Sequence, residues 1–132
     1  MSERSIVIEI PGTPDKCLAP NAARRTHYMH KSKVSSEMRD RGMLAALSVR
    51  PTGVVPMFAG PVTLYLTVLW GKGERRVDLS AIPAMTKPFE DGLTDAGIWD
   101  DDRQVTRLIV EQGKDPARVG RTVLRVVEAA HG

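Results

Sequence analysis

The chain has 132 residues, 42% hydrophobic and 27% charged, with 19 Lys and Arg against 16 Asp and Glu for a net charge of +3. That length predicts a single domain over residues 1–132 with its own apolar core, and so mild a cationic excess does not by itself specify a nucleic-acid partner. One cysteine, Cys17, excludes an internal disulfide and predicts a reducing, cytoplasmic setting, while no apolar run has the length of a membrane span or the character of a signal peptide.

In chain order, "SIVIEI" (Ser5–Ile10) alternates β-branched and charged residues and predicts a strand. "PGTPDKCLAPN" carries three prolines and predicts a loop. A helix is predicted from about His30 to Leu47, with Val34, Met38, Met43, Leu44 and Leu47 as its apolar stripe and Gly42 as a weak point. After the Pro/Gly-rich "RPTGVVPMFAGP", the segment Val62–Trp70 is apolar or β-branched almost throughout and predicts a central strand. "GKGERRVD" predicts a basic loop. A second helix is predicted within residues 81–94, burying Ile82, Met85, Phe89 and Leu93. Ser80 is its expected cap, Pro83 falls in its first turn, Pro88 threatens a kink, and Gly97 marks its stop. "VTRLIVEQ" and "RTVLRVVE" predict two strands pairing as a hairpin around "GKDPARVG". The sum is an α/β (α+β) fold of order β-α-β-α-β-β, a small mixed sheet with two helices on a face.

Charge is distributed unevenly. Glu90, Asp91, Asp95 and the run Asp100, Asp101, Asp102 form an acidic focus. Asp78 follows the long strand, Lys87 and Asp91 are four apart and share a helix face, and Asp101 and Asp102 open the next strand. Carboxylates converging from separate elements repel one another unless a cation stands among them. Mg²⁺ takes oxygen ligands, keeps waters and suits a site that also holds phosphate. The plainer reading is a solvated acidic turn and a surface Lys87–Asp91 pair, and spacing alone favours it.

Arg24, Arg25, Lys31, Lys33, Arg39 and Arg41 surround Asn21 and His27, and Lys72, Arg75 and Arg76 precede Asp78. These are candidates for phosphate contact or for a solvated helix face and loop. His27 and His30 read as exposed turn residues, Cys17 as inert, and Trp70 and Trp99 as packing groups. No Ser-His-Asp arrangement is present, and "GKGER" lacks the ending of a Walker motif.

The order of "VDLSAIPAMTKPFEDGLTDAGIWDDDRQV" resembles the signature of the RusA-like Holliday junction resolvases, "DxDN…KxxxDxLxxAGxxxDDxQV". The resemblance runs from Lys87 through Val105, with Lys87, Asp91, Leu93, Ala96, Gly97, Trp99, Asp101, Asp102 and Gln104 in its register, and "IEIPGTPDKCLAPNAARRTHY" resembles the family's opening more weakly. The resemblance implies a Mg²⁺-dependent endodeoxyribonuclease, with Mn²⁺ as a substitute, that resolves four-way or branched DNA as a homodimer in recombination and repair. It implies Asp78, Lys87 and Asp102 as catalytic residues. Asp78, Asp101 and Asp102 would hold metal with Asp91 in support, and Arg24, Arg25, His27, Lys31, Lys33, Arg75 and Arg76 would contact DNA. A phage-type member would work in the cytoplasm of a bacterial host, away from membranes. Two departures stand out: Ser80 and Ala81 occupy the motif's second acidic position and its asparagine, and the interval from Asp78 to Lys87 is longer than in the best-known members. Ser80 and Ala81 motivate a second expectation, a branched-DNA-binding protein with little or no cleavage. An RNA-binding or purely structural domain is a third.

Overall fold

The structure of the protein is a computed structural model that describes residues 4–20, 28–51, 53 and 55–129. Its elements are β1 (Ser5–Pro11), α1 (Tyr28–Val49), β2 (Val62–Trp70), α2 (Ile82–Asp95), β3 (Val105–Lys114) and β4 (Arg121–Glu128). Short 3-10 turns lie at Lys16–Leu18, Leu79–Ala81 and Asp102–Gln104. The order β-α-β-α-β-β and the mixed four-stranded sheet with two helices agree with the expected α+β class.

The strands lie in the order β1-β4-β2-β3. β2 runs parallel to β3 and antiparallel to β4, and β4 runs antiparallel to β1. The central position of β2 follows from its side chains: Val62, Leu64, Leu66, Val68 and Trp70 are buried, and the residues between them are half-buried. One expectation is corrected here. β3 and β4 do not form a hairpin, because β2 lies between them. β4 buries Thr122, Leu124 and Val126 and so suits an interior place, whereas β3 is mostly exposed or half-buried and suits an edge. The 115–120 loop therefore passes across the end of β2, where the Asp115 amide donates to the Trp70 carbonyl at 2.8 Å.

The helices pack on the sheet face formed by Ile6, Ile8 and Ile10 of β1, the buried side chains of β2, and Leu124 and Val126 of β4. The opposite face carries Val7, Glu9 and Arg125 into solvent, with the Arg125 guanidinium 5.1 Å from the centre of the Tyr65 ring.

On α1 the buried stripe is Val34, Met38, Gly42 and Ala46. Leu44 and Leu47, expected inside, are 62% and 46% exposed. The stripe runs through Gly42 because α1 crosses α2 there at backbone distance. A Cβ on Gly42 would meet the Phe89 carbonyl oxygen at 2.7 Å, and a Cβ on Gly92 would meet the Met43 amide nitrogen at 2.6 Å. The residue that lowers helix propensity is therefore the one that lets the two helices touch.

α2 buries Ile82, Met85, Phe89 and Leu93, as its spacing predicts, with Pro83 in the first turn. Ser80 is not its cap; it lies inside the preceding 3-10 turn, and the N-cap residue is Ala81 with no side-chain cap. The helix continues through Pro88, which is itself buried. It stops at Gly97, whose φ is +76°. The Gly97 amide donates to Thr94 O at 3.0 Å and the Ile98 amide to Leu93 O at 3.1 Å, so the last carbonyls of α2 are satisfied as the chain reverses. Among the described residues no helix is long and apolar enough to cross a membrane.

Candidate functional site

The reversal at Gly97 sets the site. Trp99 is buried just after it and its indole donates to Thr94 Oγ1 at 2.6 Å, while the Phe58 amide donates to Ile98 O at 2.9 Å. Residues 100–104 are thereby pinned beside α2.

Gln104 then shapes the acidic run. Its Oε1 accepts from the Asp100 amide at 2.8 Å and the Asp101 amide at 3.2 Å. Its Nε2 donates to Phe58 O at 2.8 Å and Gly60 O at 2.9 Å. Asp101 completes a reciprocal cap of the 3-10 turn by accepting from the Arg103 amide at 2.9 Å.

The three consecutive acids consequently do three different things. Asp100 faces solvent. Asp101 caps the turn and pairs with Arg103, whose Nη2 lies 2.8 Å from Oδ2. Arg103's side-chain and backbone hydrogen bonds hold the Asp101 carboxyl below the usual carboxylate range, and the Lys87 charge adds a smaller effect. Asp102 turns toward α2 and accepts a hydrogen bond from Lys87 Nζ. Lys87 also lies 3.6 Å from Asp91 Oδ1, one helical turn along. A surface ammonium thus joins two carboxylates carried by different elements.

Asp78 stands apart from this contact. It is exposed at the head of the Leu79–Ala81 turn, with no side-chain cap bond. Its neighbour Val77 is fastened by Gln112, whose Nε2 donates to Val77 O at 2.7 Å while its Oε1 accepts from Trp70 Nε1 at 2.9 Å. Asp78 therefore hangs from the far end of β3, and Asp102 from its beginning. The structure brings Lys87, Asp91 and Asp102 together; Asp78 and Asp101 lie outside that contact. Among the described residues no three His, Cys, Asp or Glu side chains group as a metal-holding set. The paired carboxylates of Asp91 and Asp102 are nevertheless hard oxygen donors around a point already occupied by positive charge. One or two carboxylates with waters and phosphate oxygens are the usual surroundings of Mg²⁺; here the Lys87 ammonium stands between the two carboxylates and balances their charge.

Glu90 was not singled out as a site residue from the sequence. It is buried on α2, and burial pushes its carboxyl to about 7; the Lys87 charge opposes the rise and Asp91 adds to it. Between the ordinary value of 4.5 and about 7 the folded chain keeps a proton there that the unfolded chain has lost. Stability from this group is full below that window and falls as pH rises through it, by about 3 kcal/mol at roughly 1.4 kcal/mol per pH unit. Glu90→Gln is expected to flatten the dependence and to be more stable than the parent at about pH 8, read from urea midpoints at about pH 5 and about pH 8.

Of the expected DNA contacts, Arg24, Arg25 and His27 lie outside the described residues. Lys31 and Lys33 sit in the first turns of α1, half-buried and exposed respectively, and Arg75 and Arg76 are exposed after β2. Two α1 cations have structural work instead. Arg39 forks onto Asp95, with Nε–Oδ2 at 2.5 Å and Nη2–Oδ1 at 2.7 Å, and Arg41 donates to Pro11 O at 2.9 Å. Cys17 is half-buried, with its thiol pushed up to about 11 by burial and Asp15, which fits the inert role expected for it. No family model matches this chain, and no curated protein matches it.

Proposed function

We propose that the chain is a Mg²⁺-dependent endodeoxyribonuclease of the RusA-like kind, cutting four-way or otherwise branched DNA as a homodimer in the cytoplasm. The observation that carries this reading is Lys87 held between Asp91 and Asp102 at the surface. Its spacing in sequence is the part of the chain that resembles those resolvases most closely.

Phosphodiester hydrolysis needs positive charge beside the non-bridging oxygens, a positioned water and a stabilised leaving oxygen. Lys87 supplies a half-exposed ammonium that a backbone phosphate can reach. Asp91 and Asp102 orient that ammonium and offer the donors for the ion. Mg²⁺ bound by such carboxylates lowers the pKa of water and neutralises charge on phosphate. Asp78 stands outside this contact, and its part in the reading rests on the resemblance of the motif alone. A two-fold dimer would present two such sites to a two-fold substrate, as paired cuts require.

The test is cleavage of a synthetic four-way junction by the whole chain with Mg²⁺ or Mn²⁺, against an EDTA control. Paired, symmetric cuts that vanish in EDTA are expected. A shift of the junction in a gel with no cutting in either metal would overturn the nuclease reading. It would favour a binding protein instead, a reading that the exposed Ser80 in the second acidic position of the motif supports. In that case Ser80→Asp is the variant to restore cutting.

A further inference from the structure

Away from Lys87, the Trp70 end of the sheet is closed by two loops that carry a second set of cations. Lys72, Arg75 and Arg76 follow β2, Lys114 ends β3, and Arg118 lies in the loop leading to β4. The Lys72 amide donates to Arg118 O at 3.0 Å, which ties the loops into one rim. Lys72, Lys114 and Arg118 border a shallow cavity of about 200 Å³ above Trp70.

The two acids that share this cavity, Glu74 and Asp115, are engaged by hydrogen bonds within the loops, Glu74 while exposed and Asp115 while buried. Glu74 accepts from the Gly71 amide at 2.7 Å and from Thr13 Oγ1 at 2.6 Å. Asp115 is buried, accepts from the Gly120 amide at 2.9 Å and the Ala117 amide at 3.1 Å, and lies 3.5 Å from Arg121 Nε. The cations are turned outward. All five are exposed, and among the described residues none of their side chains has an ion-pair partner. Arg118 also holds φ at +63°, a conformation in which a side chain costs about 1 kcal/mol and glycine costs nothing.

We infer that this rim is a docking ridge for the phosphate backbone of double-stranded DNA, holding one arm of the substrate beyond the cutting site. The inference rests on the nuclease reading and deepens it by naming where the substrate is gripped. Duplex is favoured over single strands because the ridge offers charge without stacking surface: Trp70, the one aromatic residue lining its cavity, is buried. Arg39 and Arg41 are already committed within the fold, so among the described residues the ridge gathers more exposed cations than α1 does.

The experiment is binding of the whole chain to a short blunt DNA duplex in EDTA over a range of salt concentrations. Lys72→Gln/Lys114→Gln/Arg118→Gly is expected to bind at least tenfold more weakly at low salt. The slope of log affinity against log salt should become shallower by about 2 to 3, since each lost phosphate contact removes about 0.9. Arg118→Gly alone, which also relieves the backbone, should lose about 1 of slope while keeping or raising its melting temperature. An unchanged slope in a folded variant, tighter binding of duplex RNA than of duplex DNA, or no DNA binding by the parent would overturn the ridge. Because no metal is present, failure of junction cleavage leaves this measurement standing. A ridge variant that keeps both its slope and its cleavage removes the ridge alone.

Discussion

Asp102→Asn is expected to leave the protein folded and able to bind a four-way junction while cutting it at least about 10²–10³ times more slowly. The fold should be spared because Lys87 and Asp102 are both partly exposed, at 46% and 34%, and a solvent-screened pair of that kind contributes at most about 1 kcal/mol. Activity should not be spared, since asparagine keeps the shape but gives up the charge that orients the ammonium and offers a donor to the ion. Lys87→Met should show a loss of similar size. The double variant should be little worse than either single one, because the two groups act as one unit. Single-turnover cleavage, with binding measured separately, checks this. Normal cutting by Asp102→Asn would end the assignment.

Gly92→Ala is expected to cost about 3 kcal/mol or more and to unfold a large fraction of the protein. The added methyl would run into the Arg39 carbonyl oxygen and the Met43 amide of α1, and backbone of this kind has no rotamer to change. Gly42→Ala should be nearly as damaging, because its Cβ would lie 2.7 Å from Phe89 O and 3.1 Å from Phe89 Cα. Gly113→Ala is the control. Its Cβ would meet only Leu69 Cδ2 at 3.7 Å, an ordinary contact, so its stability should be close to the parent's. Urea denaturation of the three variants separates these outcomes, and a parent-like midpoint for Gly92→Ala would show that the helices can move apart freely. The effect would reach the site as well, because the same helix carries Lys87 and Asp91.

These glycines also show what the sequence could convey. β2, the buried residues of α2 and the stop at Gly97 were legible because each depends on local pattern: continuous β-branched residues, helical spacing, and a residue suited to positive φ. The stripe of α1 was misread because glycine counts against a helix in isolation, and only the partner helix reveals why it is needed. The hairpin expected of β3 and β4 failed for a related reason. Adjacency in sequence favours pairing, but β2 needs a neighbour on each edge, and that demand prevails.

In the site, Lys87 and Asp91 were legible from their spacing, and Asp102 from the motif that follows. The different uses of Asp101 and Asp102 were not, since both belong to one uniform acidic run. They are separated by Arg103, which pairs with Asp101, and by Gln104, whose bonds depend on where Phe58 and Gly60 come to lie. Glu90 was legible only as one member of the acidic focus, because its burial is a tertiary fact.

The strand order carries a consequence for how the chain assembles. Residue 5 pairs with residue 127, and residue 62 with residue 128, so β4, the last of the four strands in chain order, is inserted between β1 and β2. A nascent polypeptide lacking it would hold only the parallel β2–β3 ladder, with the hydrogen-bonding groups of β1 idle. Such long loop closures slow the search for the native topology, and until they are made the unpaired strand edges are the molecule's point of greatest vulnerability to association.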